Sequence, residues 1–342
     1  MSNRPTIEDL AAAAGVSTAT VDRVLNKRSK VRESTAQRVL MAAEDIGYHA
    51  AGLLKQRVRE SKPHKRISVL LQRSNDEFYK SMGDHIRRAL DAATEFVFDT
   101  RIIFMDEVSP VFIAEQLKRE SQDADAIAIV PLDHPLINME VERVVANNIP
   151  VVTILSPLST TACTRHVGMD NRKAGRTAAW GVSRLAKPGS VGIMLGSHSY
   201  LNQDIAEISF ISYFREFKHD FTLLPPRTSL DDNDLAYKAT RELLSQTPNL
   251  TGLYSAGGGV EGILRALRES RRASDVTFVC NELMDSTKLA LSEGYLDFII
   301  ATPIQKMAQT VAETFTEALS RKYITPQAPV QLTVEIHIAE TL

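Results

Sequence analysis

Apolar residues follow two different patterns along the chain. Over the first 50 residues they recur at spacings of three and four, whereas beyond Arg66 they form short continuous runs that alternate with amphipathic stretches. The first pattern is typical of short helices that bury one face. The second is typical of parallel strands that are covered on both faces and are each followed by a helix. The pattern therefore predicts a small all-α unit followed by a large α/β unit.

Two short helices joined by a tight turn are predicted between Thr6 and Asn26. Thr6 is a favourable cap for the first helix, and Gly15 gives the backbone the freedom to end it. Ser17 is a favourable cap for the second helix. The apolar positions of that helix that face the first are Val21, Val24 and Leu25. Its outward positions are Thr18, Ala19, Asp22 and Arg23. This arrangement predicts a helix-turn-helix, whose second helix fits the major groove of DNA.

A third helix is predicted after Val31, with Val39, Ala42, Ala43 and Ile46 on its apolar face. The run A-x-x-x-GVS-x-x-TV-x-RVLN, followed by Val31, Thr35 and the pair Gly47-Tyr48, closely resembles the LacI/GalR family of bacterial transcription regulators. This resemblance implies an N-terminal all-α helix-turn-helix headpiece, followed by two doubly wound α/β lobes of periplasmic-binding-protein type I. The implied domains are a headpiece of residues 1–49, a hinge or linker of residues 50–65, and an effector-binding domain of residues 66–342.

The charge distribution agrees with a nucleic-acid-binding front end. The whole chain has a net charge of only −2. Through Arg66, however, 13 basic residues stand against 7 acidic ones, a net of +6, whereas the remainder has 27 against 35, a net of −8. A basic module attached to an acidic body is typical of proteins whose first domain binds phosphates.

The helix-turn-helix predicts two classes of DNA contact. Side chains expected at base edges are Thr18, Ala19 and Arg23, because methyl groups suit thymine and a guanidinium forks onto guanine. Side chains expected at phosphates are Thr6, Ser17, Thr20, Asn26 and Lys30. Asp22 either orients Arg23 or faces solvent. Because one helix-turn-helix contacts few bases, we expect a homodimer on a pseudo-palindromic, double-stranded operator.

Residues 50–65 are polar and basic, which suits a linker that is helical only in its first part. In the LacI/GalR family the corresponding segment is a hinge helix that inserts a leucine into the minor groove. Counted from Tyr48, the position of that leucine holds Arg57 in this chain, and Ala50 replaces the usual proline. Leu53 and Leu54 are the neighbouring apolar candidates for insertion. Arg57 is expected to contact the narrow groove electrostatically.

Beyond Arg66 the strand-like runs fall into two sets, and a final strand is predicted over PVQLTVEIHI. Two sets of βα units imply two lobes, with ligands at the carboxyl ends of the strands in the cleft between them. By resemblance, lobe one comprises about residues 66–167 and 303–326, and lobe two about residues 168–302 and 327–342.

The resemblance also implies which residues contact a small-molecule effector. These are Asn75, Phe78 and Tyr79 after the first strand, Asp170 and Asn171 near a crossing between the lobes, and Glu282 and Gln305 after later strands. Polar side chains beside aromatic rings are typical of sugar-binding sites, so we expect a carbohydrate or a carbohydrate derivative. The protein is expected to be a repressor that this effector controls, either by releasing the DNA or by acting as a co-repressor.

One alternative function is carried by the sequence Gly257-x-Gly259-x-x-Gly262. It formally matches the dinucleotide-binding fingerprint, follows a predicted strand and opens a predicted helix, with Glu282 at a distance suitable for a ribose. It would make the protein an NAD(H)-binding redox regulator or a dehydrogenase. That alternative leaves the helix-turn-helix unexplained and offers no acid–base residue. We therefore expect no enzyme activity and no cofactor.

Other features lead us to expect that the protein is cytoplasmic. The chain starts without an apolar signal segment and has no run long enough to span a membrane. Cys163 and Cys280 are isolated, as in a reducing compartment, and neither has the spacing of a metal site. Because no heptad helix follows the last predicted strand, the resemblance implies a dimer rather than a tetramer.

Overall fold

A computed structural model describes residues 4–26, 31–60, 62–217, 220–321 and 324–342. By its internal contacts the chain divides into two compact units. The headpiece unit comprises residues 1–65 with 91–99, and the body unit comprises residues 66–90 with 100–342.

The described part of the headpiece unit contains four helices: α1 (Ile7–Ala14), α2 (Thr18–Asn26), α3 (Glu33–Asp45) and α4 (Ala51–Glu60). The predicted cap of α1 is present, because the Thr6 hydroxyl accepts a hydrogen bond from the Asp9 amide at 3.2 Å while the Thr6 amide donates to the Asp9 carboxylate at 2.8 Å. Gly15 ends α1 in the left-handed region, with φ of 63°. These two features fix where the turn between α1 and α2 begins.

One apolar core joins all four of these helices. Its fully buried members include Leu10, Val21, Val39, Ala43 and Leu54. Leu54 and Val58 belong to α4, so the segment expected to be a linker contributes a full helix to the headpiece core. Burial of a leucine side chain stabilises a fold by about 1.5–3 kcal/mol. α4 is therefore an integral part of this unit and runs through the first ten residues after Ala50.

Within the described residues, two sheets define the two lobes of the body unit. The first residues of β1 and β2 and the last residue of α5 fall in the ranges counted with the headpiece unit. Lobe one is built on the sheet β12-β5-β4-β3-β1-β2. Its strands are β1 (His64–Gln72), β2 (Val97–Met105), β3 (Ala126–Ile129), β4 (Val151–Ile154), β5 (Arg165–Met169) and β12 (Val330–Leu332). Its helices are α5 (Glu77–Asp91), α6 (Pro110–Glu120), α7 (Pro135–Ala146) and α13 (Ile304–Ser320). β3 pairs in parallel with both β1 and β4, and all four β3 side chains are buried because helices cover both faces.

Lobe two is built on the sheet β13-β11-β10-β9-β6-β7, with β8 also pairing with β6. Its strands are β6 (Ser190–Leu195), β7 (Thr222–Leu223), β8 (Arg227–Thr228), β9 (Leu250–Ser255), β10 (Thr277–Asn281), β11 (Phe298–Ala301) and β13 (Glu335–His337). Its helices are α8 (Asn171–Leu185), α9 (Leu201–Phe217), α10 (Asn233–Gln246), α11 (Val260–Ser270) and α12 (Asp285–Ser292). α8 and α9 cover one face of the sheet, and α10 to α12 cover the other. The fold is therefore the doubly wound α/β class that the sequence predicts.

The prediction of one final strand over PVQLTVEIHI is wrong. The structure divides it into β12, which pairs in parallel with β5, and β13, which pairs antiparallel with β11. Residues 330–332 consequently belong to the sheet of lobe one, although the sequence assigned them to lobe two. Alternation along the segment predicts a strand but carries no information about the sheet edge that receives it.

The chain passes between the lobes at three places. It leaves the first sheet after Met169, leaves the second after Ala301, and passes from β12 to β13 at residues 333–334. Because the carboxyl ends of β1, β6, β9 and β10 border the same cleft, the loops that follow them can contact one ligand. Among the described residues, the helices are all too short or too polar to cross a lipid bilayer.

Candidate DNA interface and effector cleft

The outward face of α2 carries the side chains predicted to contact DNA. Thr18, Ala19 and Arg23 are exposed. Ser17 caps the helix, because its hydroxyl accepts a hydrogen bond from the Thr20 amide at 3.2 Å and lies 2.9 Å from the Thr20 hydroxyl. The inner face packs through Val21 and Val24. The helix therefore presents small and basic side chains outward on a rigid support.

Asp22 has a partner on its own helix. The Asn26 side-chain amide donates a hydrogen bond of 2.6 Å to the Asp22 carboxylate, four residues earlier. The sequence left open whether Asp22 orients Arg23 or faces solvent, and the structure adds the contact with Asn26. This bond uses one hydrogen-bond donor of Asn26, a residue that was expected to contact a phosphate.

Three other residues predicted to contact DNA differ in their surroundings. Thr6 is engaged in the capping box of α1, where the hydrogen bond from the Thr6 amide lowers the pKa of the Asp9 carboxyl. Arg57 is half-buried on α4. Lys30 lies outside the described residues. Of the two leucines near Arg57, Leu54 is buried in the headpiece core, whereas Leu53 is 44% exposed.

A cavity of about 540 Å³ lies between the two lobes of the body unit. This volume is within the range of small-molecule sites. Lobe one contributes Leu155 and the loop after β1, and lobe two contributes the start of α9 and the loops after β8, β9 and β10. The side chains that provide polar groups on the lobe-two side include Gln203, Asp231 and Asn281.

Four residues that line the cavity have a left-handed backbone although they are not glycine. They are Arg73, Leu155, Asp231 and Glu282, with φ of 43°, 63°, 53° and 72°. Such a conformation costs an ordinary residue on the order of 1 kcal/mol and is concentrated at functional sites. In this protein the left-handed conformation turns the chain sharply just after four strands end at the cleft.

Hydrogen bonds hold the polar wall of lobe two in place. The Asp231 carboxylate accepts from the Gly258 amide at 2.6 Å. The Gln203 side-chain oxygen accepts from the amides of Gly196 at 2.6 Å and Ser197 at 3.3 Å. These bonds preorganise the wall, so a ligand meets groups that are already oriented.

The lining of the cavity is strongly acidic. Its carboxyl-bearing residues are Asp76, Glu77, Asp231, Asp232, Asp234, Glu261 and Glu282, and its one basic residue among the described lining is Arg73. Burial raises the pKa of Asp76, with the nearby Asp231 adding to the effect. Burial also raises the pKa of Asp231, and raises that of Glu282 to about 7 although Thr302 donates two hydrogen bonds to its carboxylate. Burial therefore disfavours the ionised form of these three carboxyl groups. An anionic ligand would add further negative charge to the same site, so the site disfavours it.

Four of the seven residues predicted to contact the effector line the cavity, namely Asn75, Phe78, Tyr79 and Glu282. The rings of Phe78 and Tyr79 meet edge to face, with centroids 5.4 Å apart. Burial raises the pKa of Tyr79 well above its usual value, so the phenol remains neutral and can donate a hydrogen bond. An apolar ring edge beside polar groups suits the mixed surface of a sugar.

The other three predicted contacts lie outside the residues that line this cavity. The Asp170 side chain caps α8 by accepting from the Lys173 amide at 3.1 Å. Asn171 is buried and donates to the Met169 carbonyl at 3.2 Å. Gln305 is exposed in the first turn of α13. Each is a polar residue at or next to the start of a helix, and helix capping accounts for Asp170.

The residues predicted to contact the effector did not include several polar residues of the cleft, among them Arg73, Gln203, Asp231 and Asn281. Arg73 follows β1, Gln203 lies in the first turn of α9, Asp231 follows β8, and Asn281 ends β10. For Arg73, Asp231 and Asn281, the available signal was their position at or just after the carboxyl ends of strands. The short strand β8 was not predicted separately, and this hid the position of Asp231.

The glycine-rich loop has a structural explanation that differs from dinucleotide binding. Gly259 is the N-cap of α11 and has a φ of 84°. A Cβ on Gly262 would lie 1.8 Å from the Asn233 carbonyl oxygen, so Gly262 permits α10 and α11 to pack closely. The Asp231 carboxylate occupies the Gly258 amide, and its charge would repel a pyrophosphate. The dehydrogenase alternative therefore has no support.

Comparison with known proteins gives matches for both units. Residues 67–322 match the periplasmic binding protein domain, and residues 6–50 match the bacterial regulatory proteins of the lacI family. The HTH-type transcriptional regulator CelR of Thermobifida fusca is 26% identical over 98% of this chain and 97% of its own length. The regulator RegA of Clostridium saccharobutylicum is 38% identical, but over 28% of this chain and only 27% of its own length. The repressor PurR of Photobacterium profundum is 38% identical over 22% of each chain.

Solved structures share the fold of the body unit. GanP, a glucose-galactose binding protein from Geobacillus stearothermophilus, has a TM-score of 0.75 at 16% identity and covers 82% of this chain and 99% of its own. A solute binding protein from Agrobacterium vitis, bound with α-D-tagatopyranose, has a TM-score of 0.73 at 18% identity and covers 81% and 95%. The chain thus belongs to the family of periplasmic binding protein domains and carries at its front the helix-turn-helix of the lacI family of bacterial regulatory proteins.

Proposed function

We propose that this protein is a DNA-binding transcriptional regulator of the repressor type, controlled by a small molecule bound between the two lobes of its body unit. The observation that carries the proposal is the combination of a lacI-type headpiece with an acidic two-lobed cavity in one chain. The regulator acts where DNA is, in the cytoplasm, and has no enzyme activity of its own.

The exposed face of α2 is the part that contacts base edges. Thr18 and Ala19 present methyl groups suited to thymine, and Arg23 presents a fork suited to guanine. Phosphate contacts come from Thr6, Ser17, Thr20, Asn26 and Lys30, and Arg57 contacts the narrow minor groove electrostatically. A homodimer places two such helices on a pseudo-palindromic operator, one half-site for each copy.

The ligand is a neutral polyhydroxyl compound of the size of a sugar. Carboxylates accept hydrogen bonds from hydroxyl groups, and the cavity supplies them on both lobes, through Asp76 and Asp231. Phe78 and Tyr79 supply the apolar contact. A sugar phosphate or sugar acid would add charge to a site where burial already raises the pKa of Asp76, Asp231 and Glu282, so both classes are disfavoured.

The ligand controls DNA binding through the closure of the cleft. The Glu77 carboxylate of lobe one accepts from the Asp285 amide of lobe two at 3.3 Å. A ligand held from both sides favours the arrangement of the lobes in which such contacts form. It changes DNA affinity only as far as it distinguishes that arrangement from a more open one, and DNA changes ligand affinity by the same factor.

A thermal-shift screen tests this function. The purified full chain is heated in the presence of neutral hexoses, pentoses and polyols, and of the corresponding phosphates and acids. At 100 times the dissociation constant, a ligand adds about 2.7 kcal/mol to the free energy of unfolding. We expect at least one neutral sugar or polyol to raise the melting temperature, and the charged analogue of that compound to have little effect. Stabilisation by anionic sugars alone would contradict the proposed ligand class.

A further inference from the structure

Three side chains that take no part in the cleft converge where the loop after β6 enters α9. The imidazole Nδ1 of His198 lies 3.3 Å from a carboxylate oxygen of Asp204 and 3.4 Å from one of Glu207. The three candidate donor atoms all lie within 4.8 Å of one another. Asp204 and Glu207 are three residues apart on α9 and therefore share one face of the helix.

These distances suit a bound metal ion. Zinc binds imidazole nitrogen and carboxylate oxygen at about 2.1 Å, which separates the donor atoms of a tetrahedral site by about 3.4 Å. Both separations measured from His198 match that value. The half-exposed imidazole leaves the site open to solvent on one side, so a water molecule can take the fourth position and the ion has a path of entry.

A buried oxygen without a partner points into this cluster. Glu207 is only 7% exposed, and its Oε2 atom lacks a hydrogen-bond partner among the residues that the structure describes. The nearby His198 forms its hydrogen bond with Asp204 instead. Burial raises the pKa of Glu207, against the influence of His198. A buried acceptor without a donor is costly, and a cation at the cluster would satisfy it.

We propose that His198, Asp204 and Glu207 form a binding site for a divalent transition metal, with zinc as the best fit. One imidazole and two carboxylates are ligands of zinc and of chemically related ions. Calcium prefers six to eight oxygen ligands, and magnesium prefers near-octahedral oxygen and water. Neither suits a three-residue site that includes a nitrogen donor.

The position of the site links the metal to the contact between the lobes. Next to His198, the Ser199 carbonyl accepts from the Asp133 amide of lobe one at 2.9 Å. Tyr200 is buried in an apolar cluster formed by lobe-one residues. A metal that joins His198 to α9 fixes the loop that makes both contacts. It therefore stabilises the arrangement of the lobes seen here.

Titration calorimetry with zinc tests the proposal on the full chain after removal of any histidine tag. We expect one zinc ion per chain with micromolar or tighter affinity. Removing one ligand, by His198→Ala or Glu207→Gln, should weaken binding by at least about tenfold. The matched control is His64→Ala, which removes an exposed imidazole at the start of β1 and should leave zinc affinity unchanged.

Two further readouts complete the test. Cobalt should give the visible absorption of a four-coordinate ion with the wild type and the His64→Ala variant, and lose it in His198→Ala. Zinc should raise the melting temperature of the wild type but not of Glu207→Gln. His198 is half-exposed, so its variant remains folded and interpretable. An absence of zinc binding, or equal binding by the wild type and His198→Ala, would overturn the proposal.

Discussion

The guanidinium of Arg73, at the end of the first strand of lobe one, donates a hydrogen bond to the backbone carbonyl of Leu230 in lobe two. Both residues have a left-handed backbone, with φ of 43° and 52°. Leu230 directly precedes Asp231, whose carboxylate contributes to the wall of the cavity. The bond therefore joins the two lobes beside the ligand site, and its charged donor makes it stronger than a neutral hydrogen bond.

Loss of this bond should loosen the cleft. A hydrogen bond to a charged group contributes about 1.5–3 kcal/mol, so Arg73→Ala should shift the ligand-free protein towards an open arrangement of the lobes. Small-angle X-ray scattering should then show an increased radius of gyration. The control is Arg88→Ala, which removes an exposed arginine on α5 away from the cavity. Identical scattering from the wild type and both variants would show that the contact does not hold the lobes together.

The Glu282 carboxyl should make stability depend on pH. Burial raises its pKa from 4.5 to about 7. Below pH 4.5 the group is protonated in both the folded and the unfolded state. Between pH 4.5 and 7 the unfolded chain releases the proton while the folded chain retains it, so stability falls as pH rises and stays low above pH 7.

Glu282→Gln removes this dependence, because glutamine does not ionise. At about pH 8 the variant should be more stable than the wild type by on the order of 1–3 kcal/mol, and near pH 4.5 the difference should be small. Urea unfolding at the two pH values measures it. A variant less stable than the wild type above pH 7 would show that the carboxylate is stabilised in the folded protein.

The headpiece core should depend on α4. Leu54→Ala removes a fully buried side chain of the apolar core that the four headpiece helices share, which should destabilise the headpiece by about 2–5 kcal/mol. Its neighbour Leu53 is 44% exposed, so Leu53→Ala is the matched control and should change stability by about 0.5 kcal/mol or less. Amide hydrogen exchange in α2 and α3 reports on both. Equal exchange rates in the two variants would mean that α4 does not support the headpiece.

Arg23 should determine specificity at one base position of the operator. Arg23→Ala should cost about 1–3 kcal/mol of discrimination at that position and leave the preferences elsewhere unchanged. The control is Arg38→Ala on α3, where another exposed arginine is removed. Binding to a series of singly substituted duplexes measures the effect. If Arg23→Ala weakens binding equally on every duplex, Arg23 contacts phosphate rather than a base.

The sequence predicted best the features that depend on neighbouring residues. The caps at Thr6 and Ser17, the turn at Gly15 and the buried face of α2 all depend on residues a few positions apart. The strands of the two lobes were also recognisable, because a strand covered on both faces is a continuous apolar run. The comparisons confirm the family resemblance found from these patterns.

The cleft was predicted less completely, because its residues are brought together from distant parts of the chain. Arg73 and Leu230 meet although 157 positions separate them. Asp170 and Asn171 were predicted to contact the ligand because they form a polar pair near a crossing between the lobes. In the structure Asp170 caps α8 and Asn171 donates to the Met169 carbonyl. The position of β12 likewise depends on which sheet edge is open, and alternation along the chain does not contain that information.

The central claim is that one chain recognises a DNA sequence and that a neutral sugar controls this recognition. The most direct measurement is the anisotropy of a fluorescent operator duplex, selected from random sequences by the full chain, titrated with protein in the presence and absence of the sugar found by thermal shift. We predict tighter binding to the operator than to a scrambled duplex, weaker binding at higher salt, and an operator affinity that changes when the sugar is added. Equal affinity for the operator and the scrambled duplex, whether or not the sugar is present, would contradict the account.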